Sequence, residues 1–167
     1  MTTRSENTVT INHGAEKVHQ AYTNADYWAH IAAHLSPEAG EVHEFRATES
    51  GAEITLYEVL PLEILPEAVR AMISQALKVK RVVTVGALNA ANSHLDYTAD
   101  VKGTPVDFRG TINLSGEGEI TTLSYANEVD VNIPFMGPAI EPKVAEALAE
   151  LFNNEAKLTE EWISAHL

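Results

Sequence analysis

The chain has 167 residues, of which 24 are acidic and 11 basic, giving a formal net charge of -13. That balance opposes binding to phosphate backbones and anionic lipid surfaces, which select Lys and Arg. The absence of cysteine excludes disulfides, thiolate nucleophiles and zinc–sulfur sites, and the length fits one domain over residues 1–167.

Met1 to Asn12 has no basic start followed by an apolar run, so no secretory signal is expected. No apolar stretch approaches the ~20 residues of a membrane helix. The expected location is the cytoplasm. Thr8 to Asn12 alternates, with Val9 and Ile11 on one side, and reads as a short strand that His13-Gly14 breaks. Ala15 to Thr23 is helical by pattern, with Ala15, Val18, Ala21 and Tyr22 on one face. Asn24 fits the N-cap of a second helix, Ala25 to Leu35, whose buried face carries Trp28, Ile31, Ala32 and Leu35.

The period then changes to two. Val42 to Thr48 is a strand, with His43, Phe45 and Ala47 opposite Glu44 and Arg46. Ala52 to Val59 is the next, with Ile54 and Leu56 alternating with Thr55 and Tyr57. Short runs divided by Gly-containing turns signal antiparallel hairpins. Between Pro61 and Leu77 the stripe Leu65, Val69, Met72, Ile73 and Ala76 forms a helical insertion. Strands resume at Val79 to Val85, Ser93 to Val101, and from Val106 to Leu114. The last runs from about Ile120 to Ile133, with Leu123, Tyr125, Asn127, Val129, Val131 and Ile133 on one face. Ala139 to Leu167 is one long amphipathic helix, with Pro138 and Pro142 before or within its first turn. Ile140, Val144, Ala147, Leu148, Leu151, Leu158 and Trp162 share its apolar face.

Polar residues alternate along every strand, so the sheet has one dry and one wet face. Only the last helix is large enough to cover the dry face. The class is α+β: a seven-stranded antiparallel sheet, two short helices after the first strand, one short helix within the strand series and one long terminal helix.

This order resembles the helix-grip fold of the START and birch-pollen-allergen-like superfamily. The segment Ala15 to Trp28 looks like that family's opening, in which a first helix leads to an Asn- or Asp-containing turn before an aromatic. The insertion Pro61 to Leu77 and the C-terminal Trp162 look like an uncharacterised bacterial family within it, known only as a domain of unknown function. The resemblance implies a strongly curved sheet wrapped around the long helix, with a cavity between them. Members bind lipids, polyketides, hormones or quinones there; some are cyclases, and others are co-chaperones or stress proteins without chemistry. Fold alone gives no function.

The candidate site residues follow from the two periods. Glu155 falls inside the apolar stripe of the last helix, between Leu151 and Leu158. A covered carboxylate there would lose hydration, and could hold a ligand amine or hydroxyl or act as acid or base. The plainer alternatives are a marginal position or a structural pair with an Arg. Arg81 shares a face with Val79, Val83 and Val85 in one register; in the other it is in solvent, which the rarity of buried unpaired cations favours. Asn127, Tyr125 and Tyr97 place polar groups on an apolar face, either as ligand contacts or as satisfied core groups. His30 and His34 have metal-binding spacing but no further ligands, and read as a solvated pair.

Trp28, Phe45, Leu56, Tyr97, Phe108, Tyr125, Leu148 and Phe152 would form a continuous lining, with Arg81, Asn127 and Glu155 as its polar groups. The expectation is a binding protein for a small or medium apolar molecule such as a lipid, polyketide or isoprenoid. No cofactor, metal, nucleic acid or integral membrane segment is expected. The alternatives are a cyclase or dehydratase using Glu155, or an interaction module with a filled interior. Nothing in the sequence fixes the oligomeric state.

Overall fold

The computed structural model describes residues 2–35, 39–60, 67, 77–101, 106–132 and 137–167. Ten named elements occur in the order β1 (Thr2–Ile11), α1 (Ala15–Tyr22), α2 (Ala25–His34), β2 (Glu41–Ala47), β3 (Ala52–Leu60), β4 (Leu77–Val85), β5 (Asn92–Val101), β6 (Val106–Glu117), β7 (Ile120–Val131) and α3 (Gly137–His166). The insertion expected between Pro61 and Leu77 falls almost wholly outside the described residues, as does Ile133; Glu67, which is described, is helical and exposed.

Seven strands form one antiparallel sheet in the order β1-β7-β6-β5-β4-β3-β2. All neighbours but β1 and β7 are consecutive in the chain, so the sheet is a meander closed at one side by the first strand pairing with the last. The curved sheet and the long helix across it make a START-like helix-grip fold. Asn24 caps α2 as its chemistry predicts, its side chain accepting from the Asp26 amide at 2.8 Å.

The largest departures from the sequence reading are in β1, the long C-terminal helix and β2; other bounds shift by one to three residues. β1 begins at Thr2 rather than Thr8, and its whole length pairs with β7, from Thr2 opposite Asp130 to Ile11 opposite Thr121. The polar run Thr2–Asn7 has no apolar alternation, so the ladder with β7 specifies it. α3 begins at Gly137, which puts Pro142 inside the helix, where it has no N–H for the preceding turn. In β2 the register shifts between Val42 and Glu44. This bulge turns the exposed His43 onto the outer side, where its ring meets Tyr57 at 5.2 Å between centroids. His43 therefore does not share the inner side with Phe45, since one extra residue reverses the alternation.

The other strands alternate as expected. In β5 the inner residues are Ser93, Leu95, Tyr97, Ala99 and Val101, all buried. α3 buries Ile140, Val144, Leu148, Phe152, Trp162 and Ile163. Leu151 and Leu158 are only half-buried and flank the buried stripe. Polar contacts fasten the helix at both ends. Near its start, the fully buried Glu141 accepts from the Thr3 hydroxyl at 2.7 Å and from the Val131 amide at 3.0 Å. Toward its end, Tyr27 and Thr159 share a hydroxyl–hydroxyl bond of 2.6 Å. No helix among the described residues is long and apolar enough to cross a membrane.

Candidate functional site

Glu155 lies on the sheet-facing side of α3 and is only 7% exposed. β4 brings Arg81 beneath it. Arg81 is buried, contrary to the solvent register favoured above: the pairing sets Arg81 between Leu56 and Ala99, on the inner row with Val79 and Val83. The small side chain of Ala99 leaves room for the guanidinium. Arg81 Nη1 donates to Glu155 Oε2 at 2.7 Å. A buried cation is tolerated when a counter-ion is this close.

A third charge joins the pair. Glu58 of β3, 3% exposed, stands diagonally across from Arg81, with Oε1 2.9 Å from Nη2. That contact is an ion pair lying off the line of a hydrogen bond, and Glu58 Oε1, Arg81 Nη2 and Arg81 Nε all lack a hydrogen-bond partner among the described residues. Glu58 was legible in principle. It is two residues beyond Leu56, so the same parity turns it inward. Glu141 was legible in the same way, one helical turn before Val144 and Ala145.

Two buried carboxylates thus share one buried guanidinium. Burial pushes the Glu58 carboxyl above its ordinary range, Arg81 pulls it back, and Glu155 adds to the rise. Burial opposes the charge on Arg81, but Glu155 and Glu58 outweigh it and hold its pKa above the usual value.

Aromatic groups enclose this centre. The guanidinium carbon lies 5.9 Å from the Trp28 ring centroid. Trp28 stacks on Tyr22 at 5.7 Å and meets Tyr27 edge-on at 5.0 Å. Its indole N–H donates to the Tyr22 carbonyl at 2.8 Å. The hydroxyls of Tyr22 and Tyr125 are pushed well up by burial first and by the Glu155 charge, and so stay protonated, although Arg81 partly offsets the rise. Phe152 stacks on Tyr125 at 4.2 Å and meets Tyr97 edge-on at 5.8 Å, filling the middle of the interior.

The remaining expected residues divide. Leu56, Phe108 and Leu148 are buried in the same core, and Phe45 packs half-buried against it from the edge strand β2. Asn127 is engaged within the protein. It accepts from the Tyr97 hydroxyl and donates to Asn7 Oδ1 at 2.6 Å and Ser5 Oγ at 3.4 Å. Tyr97 reaches it by leaning across Gly110, whose missing side chain makes the space: a Cβ there would come within 2.8 Å of the Tyr97 ring. Asn7 and Ser5 were not expected, because their strand was not. His30 and His34 lie on the outer part of α2 with rings 4.2 Å apart, and no three described His, Asp or Glu groups are placed to hold a metal.

A cleft of about 620 Å³ opens where β2 begins and β3 ends, with Gly40, Glu41, Tyr57, Glu58, Val59 and Lys78 in its wall. The Glu58 side chain turns away from Tyr57, Val59 and Lys78, inward to the buried charged centre.

Comparison with known proteins agrees with this architecture. A family model described as "Protein of unknown function (DUF2505)" matches residues 6–163. An uncharacterised protein of Mycobacterium tuberculosis is 26% identical over 156 residues, covering 89% of this chain and 90% of its own. Among solved structures, a conserved protein from Geobacillus kaustophilus superposes with a TM-score of 0.62 at 12% identity, covering 98% of this chain and 96% of that one. A START superfamily protein from Mycobacterium smegmatis gives 0.54 at 15% identity, covering 98% and 99%. At these structural identities the likeness is one of fold.

Proposed function

Because the chain belongs to the DUF2505 family, whose description carries no activity, we propose from its geometry that it binds a small or medium apolar molecule. The polar end of that molecule meets the centre formed by Glu58, Arg81 and Glu155. The observation that carries this reading is the set of polar groups that converge beneath α3 on an otherwise apolar interior face, where Glu58 and Glu155 share the Arg81 guanidinium. Small-molecule sites combine an apolar surface with a few such convergent polar groups. Trp28, Tyr125 and Phe152 supply the apolar surface around it. The START-like fold supports the reading in a general way.

The test is direct. Purified protein is denatured, extracted and analysed by mass spectrometry for a co-purified apolar compound, and titrated with Nile red, an uncharged apolar dye. We expect saturable dye binding that quenches tryptophan fluorescence, since Trp28 packs against the centre. No extracted compound and no saturable dye binding would sink the proposal.

One observation favours a second reading, an interaction module with a filled interior: the stack of Phe152 on Tyr125 closes the middle of the grip. The same titration separates the two, because a filled module takes up no dye. The cyclase-type alternative draws less support, since the Glu155 carboxylate is already committed to Arg81 at 2.7 Å.

A further inference from the structure

We propose that the first turns of α3 form a hinged flap over the apolar interior, and that the Glu141 carboxylate is the catch that holds it shut. The two ends of this 30-residue helix are fastened differently. Its last turns are tied to α2 and to the connection between β1 and α1. The Tyr27 hydroxyl bonds that of Thr159, and the Tyr27 ring meets Trp162 edge-on at 5.5 Å. The Asn12 amide donates to Glu160 Oε1 at 2.7 Å, and the His13 ring lies 3.0 Å from Ser164 Oγ. The middle is held by the Arg81–Glu155 pair and by the stack of Phe152 on Tyr125.

The start is tied through one side chain. Glu141 is fully buried, and each of its oxygens takes one bond from an end of the sheet. Oε1 accepts from the Thr3 hydroxyl near the start of β1, and Oε2 from the amide of Val131, the last residue of β7. The next residue is Pro142, which has no N–H to give the Pro138 carbonyl. The helical ladder is therefore one rung short directly after the catch, and helices bend most readily where proline removes a rung. Beyond the catch, the hold on this end is apolar: Ile140 and Val144 are buried on the sheet side. Releasing two hydrogen bonds of one side chain thus frees Gly137–Glu141 from both strands. Openings smaller than global unfolding are drawn from segments with few ties.

Such a flap has an apolar underside and lies over the ends of β1 and β7. Its opening gives an apolar molecule a way in that leaves the charged centre and the Phe152 stack in place. This route rests on the ligand-binding reading; the opening itself does not.

Native-state hydrogen exchange on the full chain, over a series of low urea concentrations, tests the flap. The amides of Lys143, Val144 and Ala145 bond within the first turns and report on it; those of Ala156, Leu158 and Trp162 report on the rest of α3. Relative to their intrinsic rates, the first group should exchange at least about tenfold faster, with little dependence on urea. Thr3→Val removes one donor and keeps the side-chain shape, and Glu141→Gln weakens the catch from the other side. Each should speed the first group about tenfold further. His13→Ala at the far end should leave those rates unchanged, because its contacts survive the opening. Equal protection and equal urea dependence along α3 would overturn the flap, as would first-group rates that ignore both catch variants. Stopped-flow mixing with Nile red tests the route: the dye should associate faster with Thr3→Val, by the factor seen in exchange. An unchanged association rate beside faster exchange would overturn the route alone. Absence of dye binding would overturn the ligand-binding reading and the route with it, while the exchange data still decide the flap.

Discussion

Glu58 is the residue whose chemistry and stability point in opposite directions. Its folded-state pKa is raised, so between the ordinary carboxylate value and the raised one the folded chain holds more protons than the unfolded chain. Stability then falls as pH rises through that window, the reverse of the usual acid-denaturation slope. Replacing Glu58 with Gln removes the surplus buried charge and leaves the Arg81–Glu155 pair balanced. We expect the variant to be more stable at neutral pH by about 1 kcal/mol. Urea unfolding at several pH values checks this: the difference between variant and parent should grow as pH rises. Arg81 behaves oppositely. Arg81→Ala strands two buried carboxylates, and a loss of about 3–5 kcal/mol is expected in the same measurement. A loss below about 1 kcal/mol would mean that water reaches the centre freely.

Two elements carry strain or tight contact that substitution can expose. Asn89 and Asn92 close a two-residue turn by mutual backbone bonds of 2.8 and 2.9 Å, with Ala90 and Ala91 at positive φ of 48° and 70°. Such turns suit the right-handed twist of a hairpin, but Ala is a poor occupant of left-handed backbone. Ala90 is exposed, so Ala90→Gly loses no packing. It should stabilise the chain by about 0.5–1 kcal/mol, which calorimetry would read as a rise in Tm of about 2 °C. Gly110 is the converse. A methyl there would meet Tyr97 and the Ala126 carbonyl oxygen, the latter at 2.5 Å. Gly110→Ala should cost about 1–3 kcal/mol and displace the Tyr97 hydroxyl from Asn127. Unchanged chemical shifts at Tyr97 and Asn127 would contradict it.

Across the whole molecule, the interior is held by the face that α3 lays on the curved sheet. Phe152 is its centre, 2% exposed and packed on Tyr125 and Tyr97. Phe152→Ala should cost about 3–5 kcal/mol, because the sheet cannot close on the missing ring. It should also open space beside the charged centre, so the dye capacity read by titration is expected to rise.

The order of the described strands and helices, the inner faces of β3, β5, β6 and β7, and the inward direction of Glu155 were legible in residue periodicity. A period of two or 3.6 is set locally, by which side of each element meets water. The polar start of β1, the bulge in β2 and the inward register of Arg81 were not. Each depends on a partner distant in sequence: Asp130 opposite Thr2, Leu56 opposite Val42, and Glu155 against Arg81. Glu155 alone could be read as a carboxylate under a helix. Only the packed sheet joins it to Arg81 and Glu58, because charge pairing is a through-space energy that no local sequence pattern records.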